Sequence, residues 1–148
     1  MNINLDSCVY NRPFDDQTQP RIMLEALCLI MILAKVEQGG VRLVNSFVLE
    51  YENKKHPKPE NRMIIADILS EAAQYVMRNE RIEHRAQTLE RSGVMAMDAL
   101  HVACAEAACA DYFITCDDVL LKKLRQLTGI TVKVASVLDF MSLEVFQS

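Results

Sequence analysis

A chain of 148 residues with 51% apolar content is long enough to bury roughly two-thirds of its unfolded surface in one core. That excludes disorder and fibrous repeats and leaves no room for a second full domain. Sixteen Lys plus Arg against 20 Asp plus Glu leave a formal charge of -4, so the chain as a whole has no electrostatic grip on nucleic acid; a polyanion has to be held by a local patch or through cations.

In chain order, Ile3 to Leu5 reads as a short buried strand ending at Asp6, followed by a loop rich in turn formers from Asn11 to Gln19. Ile22 to Val36 is nearly continuously apolar and predicts a helix buried on most sides, stopped by Gly39 and Gly40. Val41 to Val44 predicts a second strand that flows at Asn45 or Ser46 into a helix carrying Glu50 and Glu52, broken by His56, Pro57 and Pro59. Apolar residues at helical spacing predict a helix over Asn61 to Asn79, forming a hairpin with a more polar helix over Ile82 to Arg91. An alanine-rich helix over Met95 to Ala110 leads to a strand at Tyr112 to Thr115. Asp117 opens a helix reaching about Leu127, Gly129 stops it, and Thr131 to Ala135 predicts a last strand. Strands alternating with helices define an α/β class with a mostly parallel sheet of four or five strands in a single domain, 1-148.

The cysteines, Cys8, Cys28, Cys104, Cys109 and Cys116, form an odd set without a CxxC pair or a nearby histidine cluster, which excludes a disulfide framework and a zinc ribbon. Met1 to Asp6 lacks the order of a signal peptide, and the greasiest run, Ala26 to Ala34, is too short to cross a bilayer. The expectation is a cytoplasmic protein with no membrane contact, its cysteines serving as small core hydrophobes.

The acids carry the chemical information. In open parallel sheets the ligand crevice lies outside the carboxyl ends of the strands. Asp6 follows the first strand there, Asp117 follows the strand ending at Thr115, and Glu50 and Glu52 follow the second strand. Asp98 stands near the start of the alanine-rich helix. Each acid alone is explained by helix capping and the helix dipole, although Asp98 sits in an otherwise apolar run where a carboxylate needs a partner. Converged, the four repel by roughly 1 to 4 kcal/mol per pair, a cluster that makes sense with hard divalent cations in it. Mg2+ or Mn2+ prefers such oxygen ligands and suits phosphodiester cleavage.

The segments Leu5-Asp6-Ser7 and MDALHVACAEAACADYFITCDDVLLKK, Met97 to Lys123, with an acid after the second strand, resemble the PIN domain as found in VapC-type toxin ribonucleases. The resemblance covers nearly the whole chain in order, and the long segment is its specific part. It implies a three-layer, Rossmann-like α/β/α domain that binds Mg2+ or Mn2+ and cleaves RNA, with a small antitoxin and a second copy of the chain as partners. Carried over by position, the catalytic and metal-binding residues are Asp6, Asp98, Asp117 and an acid after strand two. The strand-to-helix spacing that the resemblance implies, counted from Ser46, favours Glu52, with Glu50 the alternative; two apart on a helix, they cannot share a face.

Ser7 and Thr115 flank two of the acids and could orient carboxylates, or serve as ordinary turn hydroxyls. Asn11 and Arg12, in a loop at the carboxyl edge of the sheet, could touch substrate. His101, one turn beyond Asp98, reads as a packed or hydrogen-bonded structural histidine and not as a base. Lys54, Lys55, His56, Lys58 and Arg62 form the densest basic cluster, either a landing strip for RNA or a solvated turn. A non-catalytic PIN-like module that binds RNA or protein is the alternative function. A haloacid dehalogenase-type phosphatase is disfavoured because Cys8 stands where a second aspartate belongs.

Overall fold

The first strand, β1 (Asn2–Leu5), is buried over its last three residues and lies at the centre of a five-stranded sheet. The structure is a computed structural model and describes residues 1–143 and Phe146; the rest of the expected 1-148 domain lies outside the described residues. The chain continues through α1 (Ser7–Asn11), a 3-10 turn at Arg12–Phe14, α2 (Pro20–Glu37), β2 (Arg42–Ser46), α3 (Phe47–Lys54) and α4 (Pro59–Ser70) to β3 (Gln74–Val76). It then runs through α5 (Glu80–Arg91), α6 (Ala96–Ala107), β4 (Tyr112–Thr115), α7 (Asp118–Gln126), β5 (Lys133–Ser136) and α8 (Val137–Phe140).

All pairings are parallel and the strand order is β3-β2-β1-β4-β5. The chain therefore builds outward from β1 in one direction to β3, then returns to the other side of β1 and builds outward again. The reversal falls between β1 and β4, where the connections leave the sheet on opposite faces and a crevice opens at the strand ends.

Alternation of side chains along the strands divides the interior into two cores. Val44 and Phe113 face a core completed by α5, α6 and α7, with Ile82, Leu89, Val102 and Leu124 among its members. Ile3, Leu5, Leu43 and Ile114 face the other, closed by α1, α2, α4 and α8 through residues such as Val9, Leu29, Ile65 and Phe140. Helices on both faces make the three-layer α/β/α arrangement. On α6, Ala99, Ala103 and Ala105 are at most 2% exposed, and their small side chains let the helix approach the sheet closely.

Several local expectations are corrected. The stretch Asn11 to Gln19 is not simply a loop, since its start completes α1 and the 3-10 turn, where Pro13 supplies a preset φ. The helix expected over Asn61 to Asn79 ends at Ser70, and Gln74–Val76 becomes the edge strand β3. There the unpaired edge of β2 supplies a ladder, begun by Ala73 N–H to the Leu43 carbonyl at 3.0 Å, and that outweighs local helical spacing. No helical hairpin forms from these segments, because α5 packs on α6. Nor is α2 buried on most sides. Met23, Leu24, Leu27, Ile30 and Met31 are 44 to 58% exposed, since no element of the described chain covers that face. Pro20 opens α2 and Gly39, at φ +82°, supplies the left-handed residue after its end. Among the described residues no helix is long and apolar enough to cross a membrane.

Because the backbone of α6 lies against the sheet with no room to spare, Ala105→Leu is expected to destabilise the fold by about 1 to 3 kcal/mol through overpacking. A urea titration checks it through a fall in midpoint at unchanged slope.

Candidate active site

The register at the centre of the sheet sets the geometry. Leu5 pairs with Ile114, so the residues that follow, Asp6 and Thr115, leave the sheet side by side. Asp6 is 5% exposed. Its Oδ1 caps α1 by accepting from Ser7 N–H at 2.8 Å, and its Oδ2 accepts from the Thr115 hydroxyl at 2.8 Å. The same hydroxyl oxygen accepts from Asp117 N–H at 3.0 Å, so one threonine ties the β1 acid to the start of α7. Asp117 caps that helix, its Oδ1 accepting from the Val119 and Leu120 amides at 3.0 and 3.1 Å. Its neighbour Asp118 is held by both guanidinium nitrogens of Arg21, at 2.6 and 2.7 Å. Of the two adjacent acids, then, only Asp117 is free of a cationic partner among the described residues.

The two glutamates of α3 separate by face, as helical spacing requires. Glu50 turns toward the sheet edge, where Asn45 Nδ2 donates to it at 3.1 Å and the Tyr75 hydroxyl at 3.3 Å. Glu52 turns inward, where its Oε1 accepts from the Ser7 hydroxyl at 2.8 Å and contacts His101 Nε2. His101 Nε2 also lies 3.8 Å from Asp6 Oδ1. Asp6, Glu52 and His101 thus bring possible ligand atoms within 4.8 Å of one another.

Protonation follows from these neighbours. Burial pushes the Asp98 carboxyl up to about 6, and the negative charges of Asp6, Asp117 and Glu52 push the same way against the opposing influence of His101. Asp98 is therefore electrostatically coupled to the cluster, three residues before His101 on the same helix. Burial opposes the charge on Glu52, but the His101 hydrogen bond and charge, with Ser7 and Lys55, outweigh it and hold the carboxyl below its usual value. Burial likewise opposes the charge on His101, and Glu52, Asp6 and Asp98 override it, so the imidazole is held above its usual value. No lysine or arginine forms an ion pair with Asp6, Glu52, Asp98 or Asp117 among the described residues.

The structure thus brings Asp6 and Glu52 together, with Ser7 bonded to both and Thr115 to Asp6; Asp117 is tied to Asp6 through Thr115, and Asp98 feels the charges of Asp6, Asp117 and Glu52. It adds His101, which is 1% exposed and hydrogen-bonded as a structural histidine would be, yet bonded to an acid of the cluster. The signal for it was the spacing from Asp98, since residues three apart on a helix are neighbours. Arg12 does not face this site. Its guanidinium is spent on Asp15 and the buried Glu25, both at 2.9 Å. Asn11 donates to the Ser7 carbonyl at 3.0 Å and stays beside the cluster. Arg62 is also committed, to the His56 carbonyl at 2.7 Å, and staples the turn between α3 and α4.

The cysteines are free thiols. Cys8 Sγ accepts from Cys116 N–H at 3.2 Å, and the side-chain interaction between the two thiols together with burial drives the Cys116 thiol far up. Cys28, Cys104 and Cys116 are buried as expected, whereas Cys109 is exposed.

The PIN domain family model matches residues 5–126, and the chain belongs to that family. Among solved structures, it is similar to VapBC2 from Rickettsia felis bound to a DNA fragment from their promoter, at 18% identity and a TM-score of 0.55, covering 92% of this chain and 98% of that one. It is also similar to VapBC-1 from nontypeable Haemophilus influenzae, at 18% identity and a TM-score of 0.59, covering 93% and 99%. At these identities the likeness is one of fold. No curated protein sequence gives a significant match.

A carboxyl whose pKa rises on folding, from 3.8 to about 6, favours the folded state while protonated and penalises it once ionised. In divalent-free buffer, Asp98→Asn is therefore expected to match the parent in stability below pH 4. It should become the more stable by about 1 to 2 kcal/mol at pH 7, after allowance for partial solvent screening. Thermal melts across that range check both the sign and the window.

Proposed function

We propose that the chain is a Mg2+- or Mn2+-dependent endoribonuclease and the toxin of a type II toxin-antitoxin pair. One observation carries the reading. Asp6 and Glu52 lie with the imidazole of His101 so that ligand atoms of the three are within 4.8 Å of one another at the end of β1, and the charges of Asp6, Asp117 and Glu52 are felt at Asp98. The donor set fits a hard divalent cation, being rich in carboxylate oxygens, partly buried and unneutralised by lysine or arginine. Asp6, Glu52, Asp98 and Asp117 would hold it, and when bound it would supply Lewis acidity toward a phosphoryl oxygen and acidify a water.

The rest of the work belongs to the chain. Thr115 holds Asp6 with its carboxylate turned to the crevice, and Ser7 does the same for Glu52. His101 contacts the same Glu52 oxygen as Ser7. Each locks a carboxylate by a hydrogen bond to one oxygen, which leaves the remaining lone pairs for a cation. The cation in turn lets a protein of net charge -4 hold a polyanion. Lys54, Lys55 and Lys58 lie on the surface after Glu52, where an RNA backbone would pass. The alternative, a PIN-like module that binds without cutting, would sit better with a site lacking one of its acids, and this chain has all four.

An antitoxin partner is part of the reading, supported by the VapBC complexes among the structural neighbours. So is a homodimer, supported by the uncovered apolar face of α2. A cytoplasmic setting goes with both.

Cleavage of single-stranded RNA in Mn2+ or Mg2+, abolished by EDTA, tests the activity. Glu52→Gln is expected to reduce the rate by about two to three orders of magnitude, and Glu50→Gln far less; the reverse order would assign the role to Glu50. For the dimer, Ile30→Asp on the exposed face of α2 is expected to yield a monomer with the parent's circular dichroism spectrum, read by light scattering.

A further inference from the structure

Arg21 stands at the start of α2, outside the acidic cluster, and every nitrogen of its guanidinium is committed. Nε donates to Glu25 Oε2 at 3.4 Å, and the two terminal nitrogens form a fork on Asp118, at 2.6 Å to Oδ2 and 2.7 Å to Oδ1. One of them also reaches the Cys116 carbonyl, at 3.5 Å. Glu25 is 1% exposed and accepts from Arg12 Nε through its other oxygen at 2.9 Å, so the root of the fork rests on a buried carboxylate shared by two arginines. Exposed ion pairs with loose geometry do little, but a planar guanidinium anchored at its base and bidentate at its tip fixes direction as well as distance.

That fork brackets Asp117. Its contacts fall on the residue before that acid, through a carbonyl, and on the residue after it, through a carboxylate, while Thr115 takes the Asp117 N–H itself. The Arg21 hydrogen bond holds the Asp118 carboxyl below its usual value, which keeps both halves of the pair ionised. Apolar packing does not supply the same constraint. Leu120 and Leu124 of α7 pack into the core on the α6 side, whereas Cys28, Leu29 and Ile32 of α2 pack into the other core. Among the described residues, Arg21 with Asp118 is the one ion pair between the two helices. Asp117 Oδ1 is spent on capping α7, and Oδ2 has no protein partner among the described residues. Where that free oxygen points is therefore decided by how the bend from β4 into α7 is held.

Resting on the cation-binding reading of the acids, we propose that Arg21 is a positioning residue for Asp117. Together with Thr115 it clamps the chain on both sides of that acid, and it thereby sets how tightly a divalent cation is held. The sign of its effect separates this role from simple charge. Arg21 is a cation beside a cation site, so Coulomb repulsion alone makes it a hindrance, and a neutral residue in its place would tighten binding. A clamp does the opposite, because a loosened bend lets Asp117 swing out of place and the affinity falls with the lost geometry. The arginine touches neither metal nor substrate in this role; all of its effect passes through Asp117.

The test titrates the full chain with Mn2+ in the absence of RNA and follows the electron paramagnetic resonance signal of the free ion. Arg21→Gln, Arg21→Lys and Asp118→Asn are compared with the parent. Arg21→Lys keeps the charge but loses the fork, and Asp118→Asn leaves Glu25 both of its arginines, so neither strips the buried carboxylate of its partners. All three variants are expected to keep the parent's circular dichroism spectrum and to hold Mn2+ about tenfold more weakly. Charge alone moves Arg21→Gln and Asp118→Asn in opposite directions and leaves Arg21→Lys unmoved; that pattern would overturn the clamp. A second readout needs no metal. Hydrogen exchange at the Val119 and Leu120 amides, which Asp117 caps, is expected to quicken in all three variants, and unchanged exchange there would overturn the clamp as well. The same readout separates the inference from its foundation. A parent that binds no Mn2+ sinks the cation reading, and quickened exchange at Val119 and Leu120 then still upholds Arg21 as the residue that positions Asp117.

Discussion

The parallel pairing of β1 with β4 governs the molecule. It is the central seam of the sheet, the place where the winding direction reverses, and the reason that Asp6 and Thr115 emerge together. The Thr115 hydroxyl extends the seam by one residue, donating to Asp6 and accepting from the Asp117 amide. Two acids more than a hundred residues apart are thereby fixed relative to each other by two hydrogen bonds. Shifting this register by one residue would turn Asp6 into one core and a hydrophobic side chain toward the crevice, since side chains alternate across a strand.

Around that seam, charge is sorted with care. Every acid near the site has a defined fate. Asp118 and Glu25 are taken by Arg21 and Arg12, and Asp15 by Arg12. Glu50 is taken by Asn45 and Tyr75. What remains is Asp6, Glu52, Asp98 and Asp117; burial, and after it the charges of Asp6, Asp117 and Glu52, raise the carboxyl of Asp98. A protein using these residues only as helix caps would gain nothing by crowding them. Asp98 in particular makes no side-chain capping bond at the start of α6, and Met95 occupies the cap.

Much of this was legible in the residues because strands and acids are close in sequence. An apolar run ending in Asp6, or in Thr115 and Asp117, places the acid at a strand end whatever the rest of the chain does. The α/β class and the parallel sheet followed from the same runs. Helical geometry separated the faces of Glu50 and Glu52, and the spacing that the family resemblance implies, counted from Ser46, favoured Glu52. What escaped the reading was decided by distant partners. Gln74–Val76 becomes a strand only because β2 offers it an edge. Arg12 is removed from the site by Glu25, thirteen residues away on another helix. The bare face of α2 is invisible in a periodicity count, which registers apolar residues but not whether anything covers them.

The helix α3 stands between the two halves of the interior. Val48 belongs to the core on the α6 side and its neighbour Leu49 to the core on the α2 side, while Glu52, one turn later, reaches the crevice. Slow amide exchange in α3 would therefore require both cores to stay closed, and opening either one would release the glutamate from its place beside His101. Loosening of either core at α3 would reach the crevice, and the geometry there is only as persistent as the weaker of the two layers.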